Sequence, residues 1–396
     1  MSIWGPLAGR YETERPRALL ALDGGGIRGA LTLEVLAEIE KQLARATGRG
    51  SDFRLAEFFD YVAGTSTGAI IAAGIARGMS VGELLDFYTE AGPLMFQKSK
   101  ILERLRNLYA ADPLKEKLQE VFGGDTTLHP EHLRTLLLVV TRNATTDSPW
   151  PISTNPHARY NALGRKDCNL RIPLWQLVRA STAAPIFFPP EVLAWDPDDP
   201  RKTFVFVDGG ITPYNDPAFL LFRMATAPEY ALGWPTGERR LMLVSVGTGS
   251  APAIDGDVLS PGKNIVSNLA GLPGALMYGA QVDQDVNCRF VGRCVHGAPI
   301  DRELGDMVPR RNGEAVPLDE DLGRAFLYAR YDAELSKEGL ERLGLGAIEP
   351  AKVQTLDAIG SIGDLRRVGR AVAERVDVER QFAPFLAARR AAAAPG

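Results

Sequence analysis

Residues 58–76 read FFDYVAGTSTGAIIAAGIA, and the fold is decided there. Phe58 to Ala63 is a short apolar run. Gly64-Thr65-Ser66-Thr67-Gly68 is a turn of small residues, and Ala69 to Ala76 is small and apolar again. A brief apolar run bounded by glycine suits a buried strand, and the longer small-residue run after it suits a buried helix. The same order occurs once earlier. Ala18 to Leu22 ends at Asp23 and three glycines. Beyond them Leu31, Leu33, Val35, Leu36, Ile39 and Leu43 recur at near-helical spacing among Glu34, Glu38, Glu40 and Lys41. Strand, turn and helix twice within the first 80 residues predict an α/β protein with a parallel sheet.

Thr135–Thr141 and Leu241–Val246 read as buried strands, the second ending in Gly247-Thr248-Gly249. Thr203 to Val207 reads as another, ending in Asp208-Gly209-Gly210. Residues 81–122 read as helical, broken at Pro93 and Pro113; Pro173 to Ala184 and residues 350–386 also read as helices. The division expected is a polar tail at 1–16, a core at 17–250 and a helical C-terminal extension at 251–396, fraying from Ala387 onward. In open α/β sheets ligands bind beyond the C-terminal ends of the strands, so the glycine-rich strand ends are expected at one rim.

Of the 396 residues, 45% are hydrophobic and 24% charged, with a net charge of −4. Such a chain has ample material for a core, and its charge argues against a nucleic-acid binder driven by phosphate contacts. Cys168, Cys288 and Cys294 have no metal-ligand spacing and read as reduced thiols, so neither a metal nor another cofactor is expected. No segment has the apolar length of a signal peptide or a membrane span. The expectation is a cytoplasmic protein that touches a membrane only in passing.

The residues that could do chemistry begin with the turn at 64–68. A serine between two glycines on a strand-to-helix turn is a nucleophile elbow; the alternative is a small-residue packing turn. The helix that follows aims its N-terminus at Ser66, favouring negative charge there. Asp23-Gly24-Gly25-Gly26-Ile27-Arg28-Gly29 has two readings. Its spacing fits a dinucleotide-binding loop, but that reading wants an acid at the end of the second strand, which here ends in Gly64 and Ser66. The other reading is an oxyanion hole built on the Gly24, Gly25 and Gly26 backbone, where one N–H donor can be worth about 3 kcal/mol of barrier. Arg28 could add charge there or grip a lipid phosphate; its ordinary role is a salt bridge at the helix start.

A serine nucleophile needs a base. Of the four histidines, His129, His132, His157 and His296, only His296 has the chain order of a Ser-acid-His triad with Ser66 and Asp208, and it follows a long helix with no strand end to hold it. Asp208 is the better partner, because it closes an apolar strand beside Gly209 and Gly210 and belongs to the same rim.

Taken in order, Asp-Gly-Gly-Gly-x-Arg-Gly, Gly-Thr-Ser-Thr-Gly and Asp-Gly-Gly resemble the patatin-like phospholipases. Arg179–Pro185, Phe187–Pro190 and Ser245–Gly249 resemble further segments of that family, and the resemblance runs from about Arg17 to Gly249, more weakly beyond. It implies a three-layer α/β/α fold with a mostly parallel sheet, and a lipid acyl hydrolase of the phospholipase A or lysophospholipase kind. In that reading Ser66 attacks the ester, Asp208 accepts its proton, and Gly24 to Gly26 with Arg28 stabilise the oxyanion. Gly29, Gly64, Gly68, Gly209 and Gly210 complete the motifs. The partner implied is a membrane phospholipid or other acyl lipid. An acceptor other than water would make the protein an acyltransferase, and a nucleotide-binding protein using Gly24–Gly29 is the third reading. Many family members carry Asn where this chain has Asp216, which adds a charge near the site. The apolar and basic residues from Leu94 through Phe96, Lys98 and Lys100 to Leu108 read either as a membrane-surface segment or as an ordinary core helix.

Overall fold

A computed structural model describes residues 2–95, 113–185, 188–196, 198–250 and 265–393. Its centre is a nine-stranded mixed sheet. Strands β1 (Arg17–Leu22), β2 (Tyr61–Thr65), β3 (Leu136–Asn143), β7 (Leu241–Val246), β8 (Arg293–His296) and β11 (Leu327–Tyr331) run parallel in the order β3-β2-β1-β7-β11-β8. Strands β4 (Ser148–Ser153) and β6 (Thr203–Asp208) pair antiparallel with β3, and β5 (Glu191–Ala194) antiparallel with β6. A small hairpin, β9 (Arg310–Arg311) and β10 (Glu314–Ala315), stands apart.

The sheet is covered on both faces, and the strand alternation shows it. In β1, Ala18, Leu20 and Leu22 join one apolar core while Leu19 and Ala21 join the other. Successive side chains on a strand point to opposite faces, so a fully apolar run is what a sheet between two layers requires. The first core takes in the helices Gly29–Ala46, Thr67–Arg77, Leu174–Ser181 and Ile362–Ala373; the second takes in Ala218–Thr226. This is the three-layer α/β arrangement expected, with the sheet mostly parallel.

Several expectations about the flanks need correction. The tail expected at 1–16 is not free over its described residues: Trp4, Leu7 and Tyr11 are buried in the second core. Their i, i+3, i+7 spacing carries an apolar stripe that the surrounding polar residues mask. Residues beyond 250 supply helices, as expected, but also β8 and β11, which extend the sheet past β7. Those strands escape a reading for apolar runs because Arg293 and Arg330 interrupt them, both buried against carboxylates. The helix Ala383–Ala393 carries on past Ala387, where fraying was expected. The helix Val81–Met95 continues through Pro93. The segment around Phe96, Lys98 and Lys100 lies outside the described residues.

Strand β6 also departs from the simple picture. It pairs with the end of β3, Asp208 opposite Thr141, Val207 opposite Arg142 and Phe206 opposite Asn143. Strand β2 pairs with β3 up to Thr65 opposite Val140. Strand β4 occupies the other edge of β3 along residues 138–143. It follows that β2 and β6 share one edge of β3 and meet head to head, one rung apart. Asp208 reaches the rim from above, on an antiparallel strand, and Ser66 reaches it from below.

Candidate active site

The elbow is built by close approach. A Cβ on Gly64 would overlap the Gly68 carbonyl, and one on Gly68 would overlap the Leu22 carbonyl of β1. With both absent, the helix Thr67–Arg77 starts directly above β1 and β2. Ser66 between them adopts φ 54° and ψ −121°, a region costing a non-glycine residue about 1–3 kcal/mol. The surroundings hold it there: Ser66 N–H donates to Ser181 Oγ at 2.9 Å, and Ser181 Oγ donates to Val140 O at 2.6 Å.

Ser66 Oγ donates to Asp208 Oδ2 at 2.6 Å. The other carboxylate oxygen accepts the Gly210 N–H at 2.7 Å, which fixes the carboxylate plane. A Cβ on Gly209 would overlap the Val140 carbonyl, so this turn too needs a glycine. Burial pushes Asp208 up to about 6; the bonds from Ser66 and Gly210 and the charge of Arg179 pull it back. A carboxylate of that basicity is ionised at neutral pH and is a better proton acceptor than one in water.

The glycine loop lies beside the elbow, with the Gly24 Cβ position 3.3 Å from Ser66 Cβ. Gly24 is not a free donor, since its N–H goes to Asn215 O at 3.0 Å. Its carbonyl accepts Thr248 Oγ1 at 2.9 Å. Among the described residues, neither the Gly25 nor the Gly26 N–H is taken by a protein acceptor. Ile27 and Arg28 donate to Leu356 O and Gly25 O, and Gly29 packs against Thr67 and Tyr88. Arg28 is buried and makes no salt bridge among the described residues; its Nε donates to Gly25 O at 3.3 Å. Burial lowers it to about 10, against the pull of Asp332 and Asp23, so it stays a cation at neutral pH.

The histidine alternative fails on geometry. His296 does end a strand, β8, but that strand lies four places from β2 in the sheet, about 19 Å at the usual strand spacing. It stacks on Tyr331, and burial, with Arg375, Arg380 and Arg289, brings it down to about 4. Sequence reasoning missed Ser181, Asn215 and Thr248, which hold the elbow and the loop, because single hydroxyl and amide residues at helix ends, in turns and after strands carry no distinguishing pattern. It also missed Arg330, although Asp216 carried a signal: a carboxylate placed in the interior implies a cation beside it.

With this geometry in place, comparison with known proteins is decisive. Residues 20–222, just over half of the chain, match the family described as patatin-like phospholipase, and the chain belongs to that family. Patatin-T5 of Solanum tuberosum is 29% identical over 253 residues, covering 60% of this chain and 61% of that protein. Patatin-17 of Solanum cardiophyllum is 29% identical over 252 residues, with the same coverage. The chain thus spans about 61% of the length of these relatives. Among solved structures, human GIVD cytosolic phospholipase A2 superposes with a TM-score of 0.45 at 12% identity, covering 98% of this chain and 63% of that one. VipD from Legionella pneumophila gives 0.35 at 14% identity, covering 89% and 67%. No helix among the described residues is long and apolar enough to cross a membrane.

Proposed function

We propose that this protein is a serine acyl hydrolase that releases fatty acid from glycerolipids through a Ser66–Asp208 dyad. The observation that carries the reading is the 2.6 Å bond between Ser66 Oγ and Asp208 Oδ2, made where two strands meet end to end. Ser66 Oγ attacks the ester carbonyl carbon as its proton passes to Asp208 Oδ2. The carbonyl oxygen, now an anion, is met by the Gly25 and Gly26 N–H groups, with the Arg28 charge behind them. The tetrahedral intermediate collapses, and the leaving alcohol takes the proton from Asp208. Water, deprotonated by the same carboxylate, then cleaves the acyl-serine and returns the enzyme. Arg28 also suits a lipid phosphate, being a buried cation that makes no salt bridge among the described residues. The substrate is then a phospholipid taken from a membrane surface, which the protein contacts transiently.

The test is hydrolysis of mixed phospholipid vesicles by wild type, Ser66→Ala and Asp208→Asn, read by mass spectrometry of released fatty acids. Release by wild type and by neither variant is the expected result. Release undiminished in Ser66→Ala would sink the proposal.

A further inference from the structure

Arg330 is the charged residue of β11, two strands away from β1, yet it is 4% exposed and reaches the glycine loop. Its Nη2 lies 2.7 Å from Asp23 Oδ2 and its Nη1 3.2 Å from Asp23 Oδ1. Nη1 also donates to Asp216 Oδ2 at 2.8 Å and to Ser245 Oγ at 2.6 Å, and Nη2 to Asp332 Oδ2 at 2.8 Å. Asp285 Oδ2 stands 3.9 Å from Nε, itself held by Arg289 and Tyr328.

These acids are not scattered. Asp23 is the residue before Gly24, Gly25 and Gly26, and Gln281 from the helix Ile265–Val291 steadies it at 2.9 Å. Asp216 follows Tyr214 and Asn215 in the turn that begins at Asp208. In that turn Tyr214 O accepts Thr65 Oγ1, and Asn215 bonds Gly24 through both its carbonyl and its side-chain amide. One guanidinium therefore grips the loop that offers the oxyanion donors and the turn that continues from the base. A planar fork with several donors can hold two carboxylates at fixed spacing, which a lysine ammonium cannot.

We infer that Arg330 is a positioning residue for the reaction: it sets the distance between the Gly24–Gly26 loop and the Asp208–Pro217 turn, so that the Gly25 and Gly26 donors face the ester on Ser66. This rests on the hydrolase reading above. Misplacing oriented groups by a fraction of an ångström lowers turnover while leaving ground-state binding nearly alone.

The experiment compares full-length wild type and Arg330→Lys on p-nitrophenyl butyrate, with functional sites counted by fluorophosphonate labelling of Ser66. The expected result is kcat per labelled site down about tenfold or more, with KM changed less than about twofold. A purely structural arginine would lower the labelled fraction and leave kcat per labelled site at the wild-type value, and that outcome would overturn the inference. If Arg330→Lys does not fold, Asp23→Asn decides it. This variant keeps the side chain's size and discharges the pair, and kcat per labelled site should again fall about tenfold; an unchanged value overturns the inference. A wild type that neither labels nor turns over would bring down the hydrolase reading and this inference with it, whereas a normal kcat in the variants brings down only this one.

Discussion

The two ends of the parallel strands carry buried ionic clusters of opposite composition. At the N-terminal end one acid, Asp60, meets four arginines: Arg10, Arg15, Arg17 and Arg389. At the C-terminal end one arginine, Arg330, meets Asp23, Asp216, Asp332 and, more distantly, Asp285. Surplus guanidiniums are accommodated because most of their remaining N–H groups find carbonyls, the buried Arg15 Nε excepted. Arg10 donates to Ala56 O, Phe59 O and Arg134 O, Arg17 to Arg10 O and Thr13 O, and Arg389 to Phe58 O. Surplus carboxylates in the interior have fewer remedies, because they share a single guanidinium. Burial, only partly offset by Arg330, pushes Asp23 well above the usual carboxylate range and Asp216 up to about 6. The first cluster ties Arg10, Arg15, Arg17 and Arg389 to the sheet; the second sits under the Gly24–Gly26 loop and tolerates charge that does not favour folding. On the proposed function the two ends divide the labour, the base serving stability and the rim chemistry.

That division can be broken in order of expected effect. Asp208→Asn should lower kcat by about 10³-fold, in line with the loss of a general base, while the folded fraction stays high; ester hydrolysis and circular dichroism on one preparation check both halves. Asp60→Asn should do the reverse. It leaves four guanidiniums without their acid and costs about 3 kcal/mol, the lower end for a broken buried pair because Arg10, Arg15 and Arg389 keep some water. Urea unfolding should show that loss, with kcat per labelled Ser66 unchanged; a fall in kcat instead would mean the two ends are coupled.

The pH dependence separates them further. Asp208, raised to about 6, must be ionised to act, so kcat/KM should fall by half near pH 6 and continue downward in more acid solution. The stability term runs the other way. A carboxyl with a raised folded pKa takes up its proton more readily folded than unfolded, so it adds stability below its unfolded value of about 4 and loses it as pH climbs through 6. Asp208→Asn should therefore match wild type near pH 4 and exceed it by about 2 kcal/mol at pH 7.5 in denaturant titrations. The smallest effect belongs to the elbow. Ser66→Gly removes a side chain from φ 54° and should raise stability by about 1 kcal/mol, visible as a higher Tm.

Much of the fold was legible from Ala18–Leu22, Tyr61–Ala76 and Leu241–Val246, where apolar runs and glycine turns state strand and helix locally, although the strand expected from Phe58 starts only at Tyr61, after the short helix Leu55–Phe58. Ser66 and Asp208, the proposed dyad, stood out by type and context. Their contact was not, because it depends on β6 running against its neighbours and ending on the same edge of β3 as β2, which no local pattern records. Arg330 was illegible for a related reason. A charge in a strand reads as a solvent-facing or broken position, and only the fold shows the carboxylates that neutralise it. Trp4, Leu7 and Tyr11 were masked by the charged residues around them, though their spacing was there to be read.

The head-to-head seam between β2 and β6 has a consequence for how such a protein can change length. Ser66 and Asp208 are far apart along the chain, and the stretch between them includes surface loops that can grow or shrink without touching the dyad. Within Phe204–Val207 no such latitude exists. One inserted residue would slide the ladder by about 3.4 Å and turn the carboxylate to the opposite face of the sheet. The lineage is free to edit the ornament and held to the count in four residues.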